Sequence, residues 1–157
     1  MEINIKPAKI ENLKDVQNLN LSLRKNLIKE FNHALDLKWS IKKGGEEFFK
    51  NAISDKNACA FIAEADNKII GYLIGSTCEK DLSRTIPLAA EIDSFFVAEK
   101  FQSQGVGAKL YSTFIDWAKS KNIKRIRVET PAGNVRGINF YRKCGMNDHD
   151  LILECEI

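Results

Sequence analysis

An α/β fold in a single domain is what this sequence predicts, and three observations carry the expectation. The chain of 157 residues has the length of one domain and can bury a hydrophobic core without staples. Segments whose apolar residues recur every three or four positions alternate with segments of extended character. Near Gly105 an extended run leads directly into a helical one.

The elements follow in order. Ile3 and Ile5 alternate with polar residues before Pro7, which predicts a short first strand ending in a turn. Leu13, Val16, Leu19 and Leu23 have the spacing of one buried helical face. A second helical stretch is expected over Lys25–Leu35 and a third over Glu46–Ile53, with Gly44-Gly45 between them. Ala58–Ala65 and Ile69–Cys78 flank Asp66-Asn67, a turn pair that predicts a β-hairpin. Ala89–Val97 is a further strand. After Gly105, the residues Val106, Leu110, Phe114 and Trp117 repeat at helical spacing to about Lys121. Ile123–Thr130 reads as a strand, Asn134–Cys144 as a short helix ended by Gly145, and Leu151–Ile157 as a terminal strand with alternating acidic residues.

Composition narrows the classes. Apolar residues make up 44% and charged residues 29%, close to soluble globular averages. The longest apolar runs are far shorter than the roughly 20 residues of a membrane-spanning helix, and the first residues lack the pattern of a secretory signal. A cytosolic protein without membrane contact is expected. Net charge is +3, with basic residues scattered, too weak a signal for a nucleic-acid partner. Cys59, Cys78, Cys144 and Cys155 fit neither a zinc spacing nor a redox pair, so no metal is expected.

Between the strand ending at Val97 and its helix lies Gln102-Ser103-Gln104-Gly105-Val106-Gly107-Ala108, of the form Q-x-x-G-x-G. Glycines at a helix start let backbone N–H groups approach a ligand, and those unpaired donors favour phosphate oxygens. The alternative is a glycine-rich turn before an ordinary amphipathic helix. Ala108-Lys109-Leu110 is not the Gly-Lys-Ser/Thr of a mononucleotide loop, and the third glycine of a dinucleotide fingerprint is missing.

Phe95-Phe96-Val97 through Ala108 resembles the first signature of the GNAT acetyltransferase superfamily, Q/R-x-x-G-x-G/A after a hydrophobic strand end. Downstream, Asn134 to Met146 is similar to the family pattern N-x-x-A-x-x-(L/F)-Y-x-K-x-G-F. Gly137, Met146 and Gln102 depart from the commoner alanine, phenylalanine and arginine, and the last change removes a cation near the phosphates. The resemblance covers nearly the whole chain, 1–157. It implies a mixed central β-sheet of six to seven strands flanked by about four to five helices. It further implies acetyl-CoA as acyl donor, bound by Phe95, Phe96, Val97, Gln102 through Ala108, Asn134 and Tyr141, and a primary amine as acceptor.

Acetyl transfer to an amine needs a polarised thioester carbonyl, a neutral amine and a protonated leaving thiolate. The resemblance implies that backbone N–H groups near Phe95 to Val97 serve the carbonyl, as an oxyanion hole does. It likewise makes Tyr141 the proton donor to sulfur, a role suited to a phenol of ordinary pKa near 10. Asn134 is two helical turns earlier and is either a helix cap or a contact to the donor. Three carboxylates compete as base: Glu91 and Asp93 share a strand, and Glu129 ends the next. Glu91 is the expected base, because its longer side chain can reach the acceptor cleft, whereas Arg125 and Arg127 can hold Glu129 in an ion pair. Cys144 has no histidine partner and is not expected to act as a nucleophile. The region Phe31–Phe49 with Trp39 is expected at the acceptor end. A catalytically silent CoA-binding module on the same fold is the alternative function, and the terminal strand leaves a homodimer open.

Overall fold

A computed structural model describes residues 2–157. Its order is β1 (Asn4–Pro7), α1 (Leu13–Glu30), α2 (Lys43–Ser54), β2 (Ala58–Ala65), β3 (Lys68–Thr77), β4 (Ala90–Val97), α3 (Val106–Ser120), β5 (Ile126–Val128) and α4 (Val135–Lys143). The strands form one sheet in the order β1-β2-β3-β4-β5, antiparallel except for the parallel pair β4 and β5. Among the described residues no helix is long and apolar enough to cross a membrane.

The sheet separates two apolar layers. Val106, Leu110, Phe114 and Ala118 of α3 pack with Phe61, Leu73, Ile92 and Val97 on one face. On the other, Val16 of α1 and Phe49 and Ala52 of α2 pack with Ile62, Tyr72, Ile74 and Phe96. Strand residues of opposite parity therefore serve opposite layers, as the pleat requires.

A bulge in β4 reverses that parity partway. Ile74 is paired with Ser94 but Gly75 with Ile92, so Asp93 is an extra residue in β4. Ala90 and Ile92 before it, and Phe95 and Val97 after it, all face α3. Ser94 and Phe96 face the α1 side, where the Ser94 hydroxyl lies 2.8 Å from Tyr72 Oη. Gly75 opposite the bulge has no room for a methyl group: an added Cβ would meet the Phe114 ring and come within 2.7 Å of the Glu91 carbonyl oxygen.

Several expectations need correction. Among the described residues the sheet has five strands, not six or seven. Leu151–Ile157 forms no strand: its alternating pattern has no partner within the chain, and its residues are exposed. β5 is shorter than Ile123–Thr130, because the Ile123 amide donates to Ala118 O and closes α3, while Pro131 ends the extended run beyond Thr130. α1 continues through Lys25 to Glu30, since neither Gly nor Pro interrupts it. The Gly44-Gly45 pair lies inside α2 rather than before it. Gly45 is there because a Cβ would strike the Trp39 backbone, whose turn packs against the helix start. The hairpin, β4, α3 and α4 lie where the sequence predicts them, within a few residues.

Candidate active site

The site is a fork in the sheet. β4 and β5 run side by side only from Ala90/Ile126 to Ile92/Val128. Beyond Ile92, β4 continues to Val97, but β5 has ended and the chain turns through Pro131 into α4. The edge of β4 from Asp93 to Val97 that faced β5 thus has no strand beside it, leaving main-chain groups for an extended ligand. Asp93 is the first residue past the last paired position.

Below the fork, the turn at Gln102–Gly105 opens α3. Ser103 and Gly105 have φ of 61° and 83°, the left-handed region, which costs glycine nothing. The first helical bond runs from the Lys109 amide to Gly105 O, and no side chain caps the helix, so the amides of Val106, Gly107 and Ala108 are free donors. Gln102 donates to Val97 O at 2.6 Å and ties the turn to β4. Gly107 faces the aromatic rings of Phe95 and Phe140, which an added Cβ would meet at 3.4–3.6 Å, ordinary van der Waals contact. Arg136, in the first turn of α4, reaches across to Ser103 Oγ at 3.4 Å and puts a cation at the turn that Gln102 leaves without one.

Tyr141 packs against Phe95 and Phe140, with ring centroids 6.5 and 5.3 Å away. Burial drives its pKa above the usual tyrosine value, and Cys144 and Tyr111 add to the shift, so the phenol keeps its proton. The Cys144 thiol is also raised by burial, which suits an inert thiol. Asn134 takes the capping role: its Oδ1 accepts from the Gly137 amide at 3.1 Å and its Nδ2 donates to Thr130 at 3.0 Å. The side chains of Phe96, Val97 and Val106 are core.

The carboxylates separate by partner. Arg127 takes both Glu91, at 3.4 Å, and Glu129, at 2.9 Å; Arg125 instead donates to Ile86 O. Asp93 has no cation within ion-pair distance among the described residues. Its carboxyl is pushed above the ordinary range by desolvation, opposed by the Ser76 hydroxyl and reinforced by the charge of Glu91. Although Asp93 remains open to solvent, enough protein surrounds it to disfavour its charge.

A polar cluster on the α1 side escapes the motif reading. Asn20, 4% exposed, donates from Nδ2 to Tyr72 Oη at 2.8 Å and to Ser94 Oγ at 3.3 Å, while its Oδ1 has no protein partner. The signal was visible as a polar residue four positions after Val16 on an apolar helix face. Burial pushes Tyr72 up to about 12 despite these hydrogen bonds. The same layer holds the α1–α2 connection through Gln17 Nε2 to Ser40 O, at 2.7 Å, and through Arg24 stacked over Trp39.

Residues 23–146 match the acetyltransferase (GNAT) family. Streptothricin acetyltransferase of Escherichia coli is 26% identical over 106 residues, covering 68% of this chain and 57% of that protein. N-alpha-acetyltransferase 30 of Schizosaccharomyces pombe is 27% identical over 86 residues, 55% of each. The chain spans about half the length of the curated relatives it matches. The solved structure of the aminoglycoside N-acetyltransferase AAC(6')-Iy in complex with CoA superposes with a TM-score of 0.75 at 15% identity, covering 98% of both chains, a likeness of fold.

Proposed function

Because the chain belongs to the GNAT acetyltransferase family, we propose that it transfers the acetyl group of acetyl-CoA directly to a primary amine of a small molecule or protein. The observation that carries this reading is the fork: an unpaired strand edge, a helix start with free amides below it and a protonated phenol beside it. The pantetheine arm, with its two amide groups, matches an extended strand edge at Phe95–Val97, and the pyrophosphate matches the amides of Val106 to Ala108. The relatives' names point to amine-bearing antibiotics in some cases and to an α-amino group in another, so the acceptor is kept as wide as that.

In this reading Asp93 receives the proton of the attacking ammonium, directly or through water, and the neutral nitrogen forms a bond to the thioester carbon. Backbone N–H groups near Phe95 to Val97 hold the developing oxyanion. The carbon–sulfur bond then breaks and Tyr141 gives its proton to the departing thiolate. The second nitrogen proton, lost as the amide forms, returns through water to the Tyr141 phenolate, while Asp93 releases its proton to solvent. Asp93 is favoured over Glu91 because Arg127 pairs with both Glu91 and Glu129 and leaves Asp93 as the carboxylate without a cation at the apex of the fork.

The test is a panel of polyamines, aminoglycosides, amino acids and peptides incubated with acetyl-CoA, read by free thiol release and product mass. An acetylated product with stoichiometric thiol is expected for at least one class. Donor binding that raises the melting temperature, with no thiol release from any acceptor, would favour the silent binding module instead.

Arg136 gives a separate expectation. Removing its charge in Arg136→Ala should raise KM for acetyl-CoA about 3- to 10-fold and leave kcat nearly unchanged, since a charge-assisted contact to phosphate acts alike in ground and transition states. The same variant should bind dephosphorylated pantetheine donors as the parent does. Steady-state kinetics with both donors checks it.

A further inference from the structure

The bulge in β4 sets two consecutive side chains on one face of the sheet. Ser94 lies on the α1 face with Tyr72, and Ser76, two residues along β3 from Ile74, shares that face. The Ser76 hydroxyl hydrogen-bonds the Asp93 carboxyl, so Asp93 lies there as well. In a regular strand, neighbours at 93 and 94 would point to opposite faces. Here a carboxyl group and a hydroxyl stand side by side, at the point where β4 runs on without β5.

The hydrogens of the cluster behind Ser94 can be counted. Asn20 Nδ2 donates to Tyr72 Oη at 2.8 Å and to Ser94 Oγ at 3.3 Å, and the two hydroxyls, 2.8 Å apart, share one further hydrogen bond. Tyr72 is fully buried, and its phenol meets no other acceptor among the described residues. If Ser94 donated to it, the phenol hydrogen would be buried without a partner, a costly arrangement. The phenol therefore donates to Ser94, and burial, which raises its pKa to about 12, keeps that hydrogen in place at neutral pH. Both lone pairs of Ser94 Oγ are then occupied, by Tyr72 and by Asn20, and its own O–H points away from them. No protein acceptor meets that hydrogen among the described residues, and Ser94 is only half-buried.

An outward hydroxyl donor beside a carboxyl group makes a two-point site. We infer that Ser94 is a specificity-determining residue that donates to an oxygen on the carbon next to the amine-bearing carbon of the acceptor, while Asp93 engages the amine; this rests on the acetyl-transfer reading of the fork. The class so defined holds α-amino carbonyl compounds and amino alcohols. Plain alkylamines fall outside it, because an alkyl carbon against Ser94 strips water from the hydroxyl and returns no hydrogen bond.

Isosteric pairs test it: 2-aminoethanol against propylamine, and glycinamide against isobutylamine, titrated at pH 7 into the full chain saturated with CoA and followed by amide shifts in NMR spectra. The oxygen-bearing member of at least one pair is expected to bind about tenfold more tightly, and the pair that shows it separates hydroxyl from carbonyl acceptors. Ser94→Ala should bring that ratio close to one and Ser94→Thr should restore it. Tyr72→Phe, which removes the donor that fixes the serine hydroxyl, should reduce it in part, with near-UV circular dichroism confirming that each variant is folded. Members of each pair that bind equally, or not at all, overturn the inference, as does a preference that survives in folded Ser94→Ala. Mass analysis with acetyl-CoA in place of CoA keeps the two readings apart. Acetylation without an oxygen preference removes this inference and leaves acetyl transfer standing. An oxygen preference that is lost in Ser94→Ala, with no acetylated product, does the reverse.

Discussion

Replacing Asp93 with Asn is expected to lower kcat by about 10²–10⁴-fold at neutral pH, the range for loss of a positioned base. The loss should shrink in alkaline solution, where the acceptor amine is already neutral. In the parent, activity should fall as pH drops through the raised pKa of Asp93, because the protonated carboxyl can no longer accept a proton. Stability should move the other way. A carboxyl whose folded pKa lies above its unfolded value opposes folding once ionised, so stability declines as pH rises from the unfolded to the folded pKa and the penalty persists above it. Asp93→Asn removes that penalty, and its melting temperature at pH 7 should equal or exceed that of the parent. Glu91→Gln, which breaks the contact with Arg127, should show a smaller and pH-independent kinetic loss. A larger, alkali-rescued loss in Glu91→Gln than in Asp93→Asn would return the role to Glu91.

Tyr141→Phe is expected to cost at least about 10²-fold in kcat while KM for acetyl-CoA stays within a factor of two or so. The ring continues to pack against Phe95 and Phe140, so the donor surface survives, and only the proton for sulfur is lost. Since burial lifts the phenol's pKa, Tyr141 should stay protonated across the whole neutral range, and no alkaline decline near its ordinary pKa should be traceable to it. Single-turnover measurements separate chemistry from product release here. Unchanged turnover where chemistry limits the rate would leave Tyr141 as a packing residue.

What could be read from the sequence divides along physical lines. The hairpin was legible because Asp66-Asn67 adopts positive φ, a local demand stated in two residues. The helix after Gly105 was legible from its period, and the left-handed turn that opens it from glycine spacing. The assignment of a base was not, because strict alternation gives no ground for choosing between Glu91 and Asp93, and the bulge that sets Asp93 outside the ladder leaves no mark: β4 contains neither Gly nor Pro. Nor could spacing show that Arg127 takes both Glu91 and Glu129, since the first pairing crosses from β5 to β4. Arg136 escaped for the same reason, being 33 residues from the Ser103 it reaches. The expected terminal strand failed differently. Its alternation is real, but a strand is defined by its neighbour, and one chain supplies none.

The extra residue at Asp93 also bears on how this chain can change over generations. Because it is the supernumerary residue, deleting it would heal the ladder: Ile92 and Ser94 would sit consecutively opposite Gly75 and Ile74, Phe95 and Val97 would still face α3, and Ser94 and Phe96 would still face α1. The apolar layers do not depend on this residue, so a lineage can lose the carboxylate by deletion as well as by substitution and still inherit the scaffold.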